Sequence, residues 1–306
     1  MTLKNTPRIN EFKDFIALRH EIYRKKEAGE PKPWTQDPIL QEYRFCNVFR
    51  ELDTVTIWVD ENIRKPFADS DNLWIMLAIA RYINWPETLQ YVIDYPNAWP
   101  IDDTWKPECL SKALDDYAAT GAKMYTGAYM ISAESDPNAH WFSWPKHRYI
   151  SEIVIGRLWA DRKEWTELLS SPDKTLAKVW AKFQNPRYIG WGAFMAYEVV
   201  TDLRHTRYLN DAPDIMTWAN AGVGAIRGLN RMYGRPLKAK PKPSQTNDEM
   251  HKILLELRAD KPAVFEGIEF EMRDVEHCLC EFDKYERVRL GEGRPRTKYD
   301  GKGKGA

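Results

Sequence analysis

The feature that most constrains the fold is the helical spacing of apolar residues along most of the chain. In residues 12–26 the apolar side chains recur at intervals close to those of one helix face, and the segment ends in basic residues before Gly29. Similar patterns occupy residues 71–83 and 147–169, and prolines interrupt the chain between such segments. We therefore predict an all-α fold.

Composition divides the chain into four parts. All 13 tryptophans lie before residue 219, so residues 1–233 are predicted to form one helical body. Residues 234–247 contain four basic residues and three prolines but no acid, which is typical of an exposed linker. Residues 248–288 are predicted to be a C-terminal helical segment, and residues 289–306 a basic disordered tail.

Charge and hydropathy exclude several classes of protein. The 45 basic and 45 acidic residues cancel, which excludes a uniformly basic nucleic-acid binder but not a basic face. Apolar stretches such as residues 73–80 are too short to cross a bilayer, and the N-terminus lacks the apolar segment of a secretion signal. Four cysteines are too few for a disulfide framework in a chain of 306 residues. We expect a cytoplasmic protein with no membrane partner.

Two glycine pairs precede predicted helices and are candidate DNA-binding elements. Glycines permit a tight turn, and the following helix N-terminus presents backbone N–H groups that can hold a phosphate. Helix-hairpin-helix modules grip one DNA strand in this way, independent of its sequence. The alternative is a closely packed turn between two helices. The residues concerned are Gly190, Trp191 and Gly192 in the hairpin 187–192, and Gly222 and Gly224 in the second pair.

Three aspartates follow the first hairpin and are candidates for catalysis. In helix-hairpin-helix glycosylases a catalytic Asp lies roughly twenty residues beyond the hairpin, which favours Asp211 or Asp214. Asp202 lies on the helix that follows the hairpin. Asp214 is equally suited to cap a short helix over residues 215–219.

Residues 39–53 are predicted to be helical, with a polar face among large apolar side chains. Asn47, Arg50 and Asp53 are spaced three residues apart, so one face would present an amide, a guanidinium and a carboxylate. Polar groups on a largely buried helix need partners or a ligand. The alternatives are a substrate-binding site and a structural Arg–Asp pair.

Residues 274–285 combine acids, a histidine and two cysteines on a predicted helix. Cysteines two residues apart on a helix point in different directions, and there is no second CxxC or HxxxH motif. Cys278 and Cys280 therefore predict no metal site. Glu276 or His277 is a candidate general acid–base, with a solvated helix face as the alternative.

Three separated motifs resemble a phage family. They are PWTQDP (33–38) with FCNVFRELD (45–53), IGWGAFMAYEVVTDL (189–203) with GVGAIRGLN (222–230), and DVEHCLCEFDKY (274–285). The family is that of the alpha-glutamyl/putrescinyl-thymine pyrophosphorylases, or amino acid:DNA transferases, together with the related helical domain of 5-hydroxymethyluracil DNA kinases. It is regarded as a divergent relative of helix-hairpin-helix DNA glycosylases, so the resemblance implies such a helical fold with a basic C-terminal extension.

The resemblance implies hypermodification of thymine-like bases in phage DNA. A kinase phosphorylates 5-hydroxymethyluracil in double-stranded DNA, and a family member replaces the phosphate with an amino acid or polyamine. No cofactor is implied. The chain contains no GxxxxGK[ST] motif, so we do not expect it to be the kinase. The alternatives are a glycosylase that excises a modified base and a non-catalytic DNA-binding partner of the kinase.

This chemistry assigns roles to the candidate residues. A departing phosphate needs cations, and an incoming amine needs a proton acceptor. A base flipped out of the duplex needs an aromatic pocket. The candidate cations are Arg50, Arg227 and Lys284, with Asn47 and Asp53 completing the substrate-binding set. The candidate proton acceptors are Asp202, Glu276 and His277, and the candidate stacking residues are Trp34, Trp191 and Trp218.

Overall fold

The regular elements of the protein are helices. A computed structural model describes residues 6–127, 138–260, 265, 267–295 and 298–299. Within these residues the all-α prediction is confirmed. The helices are α1 (Ile9–Glu27), α2 (Pro38–Glu42), α3 (Thr54–Val59), α4 (Leu73–Ile83), α5 (Pro86–Asp94), α6 (Pro107–Ala119), α7 (Lys146–Arg148), α8 (Gly156–Ala160), α9 (Arg162–Ser170), α10 (Leu176–Phe183), α11 (Ala193–Leu203), α12 (Val223–Met232), α13 (Pro243–Ala259) and α14 (Met272–Arg289).

Tighter and wider helical turns supplement these helices. Arg50–Leu52 forms a 3₁₀ turn, Asp60–Arg64 continues α3 as a π-helix, and the π-helix Tyr149–Ile155 joins α7 to α8. No helix in the described part of the chain combines the length and apolarity needed to span a membrane.

The chain folds into two compact units. Unit 1 combines Met1–Asp53 with Asp214–Lys304, and unit 2 is formed by Thr54–Pro213. This division differs from the predicted boundary at residue 233, because the N-terminal segment packs with the C-terminal helix. The rings of Phe12 and Phe282 lie 5.3 Å apart, centroid to centroid. The tryptophan content of a stretch of sequence therefore does not show which segments of this chain share a hydrophobic core.

Unit 1 is centred on α14, which packs against α1, α12 and α13. Residues on several sides of α14 are buried, among them Val275, Leu279 and Phe282. Helix α12 approaches α14 most closely at Gly224 and Gly228. A Cβ at Gly228 would lie 2.8 Å from the carbonyl carbon of Leu279, so a side chain there would collide with the backbone of α14.

Unit 2 is centred on α4, in which every residue from Leu73 to Ile83 is buried. The Trp74 ring stacks on Trp165 of α9 with centroids 5.4 Å apart, and α11 packs along α4. The near-continuous apolar sequence of α4 is the pattern expected of a helix that is buried on all sides.

The predicted helix over residues 39–53 is wrong beyond Glu42. Asp37 caps α2 by accepting from the backbone N–H groups of Ile39 and Leu40, and the chain is extended at Tyr43. Side chains then satisfy the backbone groups that a helix would have paired internally. Cys46 N donates to Glu281 Oε2 at 2.9 Å, and Asn47 N donates to Asp53 Oδ1 at 3.1 Å. Asn47, Arg50 and Asp53 therefore do not share a helix face.

The C-terminal predictions are met in part. Helix α13 begins at Pro243, so the last residues of the predicted linker 234–247 are helical. Lys298, within the predicted disordered tail, forms an isolated backbone bridge with Tyr43, and its amine lies 3.0 Å from Glu42. Residues 296–297 and 300–306 lie outside the described part of the chain.

Candidate active site

A cluster of polar side chains in unit 1 lies between α14 and the irregular segment 43–53. From α14 it takes His277, Glu281 and Lys284, which are spaced i, i+4 and i+7 and therefore share one helix face. From the irregular segment it takes Cys46, Asn47, Arg50 and Asp53. These seven residues are called the polar cluster below.

Buried hydrogen bonds fix the irregular segment against its neighbours. Arg19 of α1 donates to Phe45 O at 2.8 Å and to Asn47 Oδ1 at 3.0 Å. The Asn47 amide nitrogen donates to Leu52 O at 2.7 Å. Asn47 is thus held from both ends of its side chain, and its backbone N–H is bonded to Asp53. These bonds replace helix pairing and hold the polar cluster in one geometry.

His277 is buried and neutral. Its Nε2 lies 3.1 Å from Asn47 O. A carbonyl oxygen only accepts hydrogen bonds, so Nε2 carries the proton and Nδ1 retains the lone pair. Burial lowers the pKa of His277 well below its ordinary value, and the positive charge of Arg50 lowers it further. The imidazole therefore offers a lone pair, not a positive charge.

Burial also keeps Cys46 and Asp53 from ionising readily. It raises the pKa of Cys46 to about 12, with the charge of Glu281 adding to the effect. Burial raises the pKa of Asp53, and Arg50 opposes that shift. One ligand atom from each of Cys46, Asp53 and His277 lies within 4.8 Å of the others. Sulfur, oxygen and nitrogen donors thus meet at one point, the kind of donor set that could hold a metal ion.

Two cations border this point. Lys284 Nζ lies 3.1 Å from Glu281 Oε2 and 4.7 Å from the centroid of the Phe45 ring. Arg50 is half-buried, and its charge influences Asp53, Cys46 and His277. Cations beside hydrogen-bond acceptors can receive an anion and a polar nucleophile together.

Where α12 packs against α14, unit 1 holds four further predicted residues: Gly222, Gly224, Arg227 and Glu276. Gly222 N donates to Glu276 Oε1 at 3.1 Å, so this carboxylate takes the place predicted for a phosphate at the start of α12. Gly224 allows α12 to approach Cys280, whose Cβ would lie 3.3 Å from an added Cβ. Arg227 Nε donates to Asp283 Oδ2 at 2.9 Å, an acid that also accepts from Arg231 Nε at 2.7 Å.

Asp202 belongs to unit 2 and is held by Arg81. Arg81 Nε donates to Asp202 Oδ2 at 2.7 Å and Arg81 Nη2 to Oδ1 at 2.5 Å, with both side chains buried. Glu198 Oε2 lies 3.8 Å from the same guanidinium. Bidentate pairing satisfies both oxygens, which is the geometry of a structural ion pair.

The hairpin 187–192 is also part of unit 2. Gly190 has a φ of +84°, its carbonyl accepts from Tyr82 Oη at 3.1 Å, and an added Cβ would lie 2.8 Å from that hydroxyl. Trp191 is a core residue whose Nε1 donates to Val154 O at 3.3 Å. Gly192 is exposed and begins α11 without a side-chain cap. The exposed helix N-terminus, not the tryptophan, faces solvent.

Asp211 and Asp214 take different positions. Asp211 is exposed, with Oδ1 3.5 Å from Lys174 Nζ. Asp214 begins a turn, in which its carbonyl accepts from Trp218 N at 2.9 Å, and the predicted helix 215–219 is not formed.

Sequence reasoning missed three contributors to this region: Arg19, Cys46 and Glu281. Glu281 could have been found, because it falls on the α14 face defined by His277 and Lys284. Arg19 and Cys46 carry no such signal, since each reaches the cluster through a long-range contact.

Comparison with known proteins agrees with the resemblance in part. The model of a family described as "5-hmdU DNA kinase, helical domain" matches residues 6–294. A protein of Bacillus phage SP10 named "5-hmdU DNA kinase" is 26% identical over 235 residues, which cover 72% of this chain and 35% of that protein. The chain thus matches about a third of the length of this relative. No solved structure matches it.

Proposed function

This chain belongs to the family of 5-hmdU DNA kinase helical domains, and we propose that it exchanges the phosphate of phosphorylated 5-hydroxymethyluracil in DNA for an amine. The lone pair of the amine nitrogen forms a bond to the methylene carbon. The bond from that carbon to the phosphate oxygen breaks, and phosphate leaves with the electron pair. The nitrogen loses one proton. The donor is an amino acid or a polyamine.

The observation that carries the proposal is the meeting of cations and hydrogen-bond acceptors in the polar cluster. Arg50 and Lys284 are the cations assigned to the leaving phosphate. Lys284 is positioned by Glu281, and its ammonium lies against the Phe45 ring, so it is held without being buried completely. Preorganised positive charge where a leaving group becomes an anion accelerates its departure by orders of magnitude.

Asp53 and His277 are assigned to the activation of the amine. His277 remains neutral because of burial, and the raised pKa of Asp53 makes its carboxylate a stronger base than an exposed one. Both can accept hydrogen bonds from an N–H group. Glu276 and Asp202 are less suited, since Glu276 accepts from Gly222 N and Asp202 is paired with Arg81.

A second candidate is a non-catalytic, DNA-binding partner of a kinase. It is favoured by the family's description as a kinase domain and by the match to about a third of the phage relative. In this function the polar cluster would bind the substrate base, and chemistry would occur elsewhere.

Mass spectrometry of nucleosides separates these functions. Duplex DNA containing phosphorylated 5-hydroxymethyluracil is incubated with the protein and a panel of amino acids and polyamines, then digested. A heavier nucleoside with an amine in place of phosphate supports exchange. Free base with an abasic site supports excision. Product only when a kinase is added supports the non-catalytic partner.

Lys284→Met provides the residue-level test, with Lys13→Met as its matched control. Both lysines are largely buried and pair with one carboxylate, but Lys13 lies on α1 and pairs with Asp260. We expect a turnover loss of about 10²–10³-fold for Lys284→Met, as for loss of a transition-state donor, and little change for Lys13→Met. Equal turnover of the two variants would contradict the assignment of the site.

A further inference from the structure

The strongest unassigned feature is the meeting of Cys46, Asp53 and His277 within the polar cluster. Their ligand atoms lie within 4.8 Å of one another. In a tetrahedral zinc site, bonds of about 2.0–2.3 Å separate neighbouring ligand atoms by about 3.5 Å. A closure of about 1 Å would therefore bring the three atoms onto one ion. We propose that these residues bind a divalent metal ion of the zinc class.

The surroundings orient all three ligands. His277 donates from Nε2 to Asn47 O, so Nδ1 is the ring nitrogen that keeps a lone pair. A metal-binding histidine ordinarily donates its other N–H to such an acceptor. Asp53 is fixed through Oδ1 by Asn47 N, and the backbone N–H of Cys46 is fixed by Glu281. The side chains of His277 and Asp53 and the backbone of Cys46 are thus held by their neighbours.

The donor set selects the ion. A thiolate, an imidazole and a carboxylate suit zinc, whereas magnesium and calcium prefer oxygen ligands alone. Three protein ligands also leave a fourth position open, as in catalytic zinc sites. Cysteine binds such an ion as the thiolate, so binding would release the proton of the Cys46 thiol.

The charges around the site suit an anionic substrate. Arg19, Arg50 and Lys284 face it from three elements, and Glu281 and Asp53 offset part of their charge. The guanidinium of Arg19 donates to Phe45 O and Asn47 Oδ1, and the amine of Lys284 pairs with Glu281. A bound ion would make the site more positive at the place assigned to the phosphate.

The metal site deepens the proposed function. Only the role of the ion in the exchange reaction rests on that function. The open position of the ion would take an oxygen of the phosphate and stabilise the negative charge that develops as phosphate leaves. Asp53 and His277 would then act as ligands of the ion rather than as proton acceptors, and the nitrogen would lose its proton to the departing phosphate once the new bond has formed. Binding itself depends on the three side chains and on no step of the exchange reaction.

Cobalt substitution tests the binding directly. The full-length protein is treated with a chelator, dialysed, and titrated with Co²⁺ while absorbance is recorded. We expect one equivalent to produce the visible bands of four-coordinate cobalt and the near-ultraviolet charge-transfer band of a cysteine ligand. Zinc should displace the cobalt and abolish both signals.

Single substitutions assign the ligands. Cys46→Ser should remove the charge-transfer band and weaken binding by at least about 100-fold, and His277→Gln should weaken it similarly. Cys109→Ser is the matched control, because Cys109 is also partly exposed but lies on α6. Circular dichroism establishes that each variant is folded.

The outcomes separate this inference from the proposed function. Absence of a charge-transfer band at one equivalent of cobalt, or an unchanged band in Cys46→Ser, would overturn the metal site. Exchange activity that survives complete removal of metal would overturn the role of the ion and leave the exchange reaction standing. Stoichiometric binding without any exchanged nucleoside would support the site and refute the function.

Discussion

The close contact between α12 and α14 predicts a large effect from one added methyl group. In Gly228→Ala the new Cβ would overlap Leu279 O and lie 2.8 Å from its carbonyl carbon. These are backbone atoms of a buried helix, so no side-chain rotation can relieve the collision. The two helices must separate, and the polar groups carried by α14 must move with them.

The magnitude follows from two opposing effects. Alanine favours a helix over glycine by about 1 kcal/mol. Overpacking a close-packed interface costs about 1–3 kcal/mol, and a clash between backbone and Cβ belongs at the upper end. We therefore expect Gly228→Ala to lower the free energy of unfolding by about 2 kcal/mol.

Urea unfolding followed by circular dichroism measures this change, with Gly156→Ala as control. At Gly156, on α8, the nearest atom to an added Cβ is Pro107 Cγ at 3.6 Å, an ordinary contact. The same substitution should there raise the free energy of unfolding by up to about 1 kcal/mol. If Gly228→Ala also raises the free energy of unfolding, helix propensity and not close packing governs Gly228.

Three further predictions concern buried and exposed charges. Asp202→Asn removes the bidentate carboxylate partner of buried Arg81 and leaves Glu198 Oε2 at 3.8 Å, so it should lower the free energy of unfolding in urea by about 3 kcal/mol. Asp211→Asn, at an exposed position, should lower it by under about 1 kcal/mol. Burial holds the pKa of His277 below its unfolded value of 6.5, so the unfolded chain binds the extra proton and stability should fall as pH drops through about 6.5. His277→Gln should flatten that fall in thermal unfolding, and His140→Gln, at an exposed position, should not. Replacing three exposed lysines by Gln should make the plot of log binding constant against log salt concentration less steep. The slope should fall in magnitude by up to about 0.9 for each phosphate that is no longer neutralised, and an unchanged slope would exclude these lysines from the DNA interface. These lysines are Lys238, Lys240 and Lys242.

The spacing of apolar residues predicted those helices whose amphipathic pattern lies within their own sequence. The shared face of His277 and Lys284 on α14 could be predicted because helical spacing decides it locally. Asn47, Arg50 and Asp53 also have helical spacing, yet they reach the same cluster on an irregular backbone. What overrides the local pattern there is a set of hydrogen bonds from α1 and α14, which local spacing does not encode.

The grouping of segments into units failed for a related reason. Tryptophan content separated residues 1–233 from the rest, but the aromatic residues that join α1 to α14 are phenylalanines and one tyrosine, Tyr285. A contact between residues 12 and 282 closes a loop of almost the whole chain. Composition along the sequence cannot report such a pairing, so the site built on it could be predicted only in its separate halves.

The two glycine pairs look alike in sequence, but the N-termini of the helices that follow them have different surroundings. At the start of α12, Glu276 accepts from Gly222 N, so a DNA phosphate would have to displace a carboxylate and overcome its charge. At the start of α11, Gly192 is exposed and an added Cβ there would meet no neighbouring atom. We therefore expect the hairpin 187–192 to contact the DNA backbone and the second pair not to do so.

Matched acidic substitutions at the first residue of each helix test this expectation. Ala193 and Val223 are both exposed, and an aspartate in the first turn of a helix is favourable to the helix itself. Ala193→Asp places a negative charge where the phosphate would bind and should weaken duplex DNA affinity by at least about tenfold at low salt. Val223→Asp should leave that affinity within about twofold of the parent. Equal weakening of both variants would mean that net charge, and not the hairpin, determines DNA binding, because the two changes add the same charge at exposed first residues of a helix.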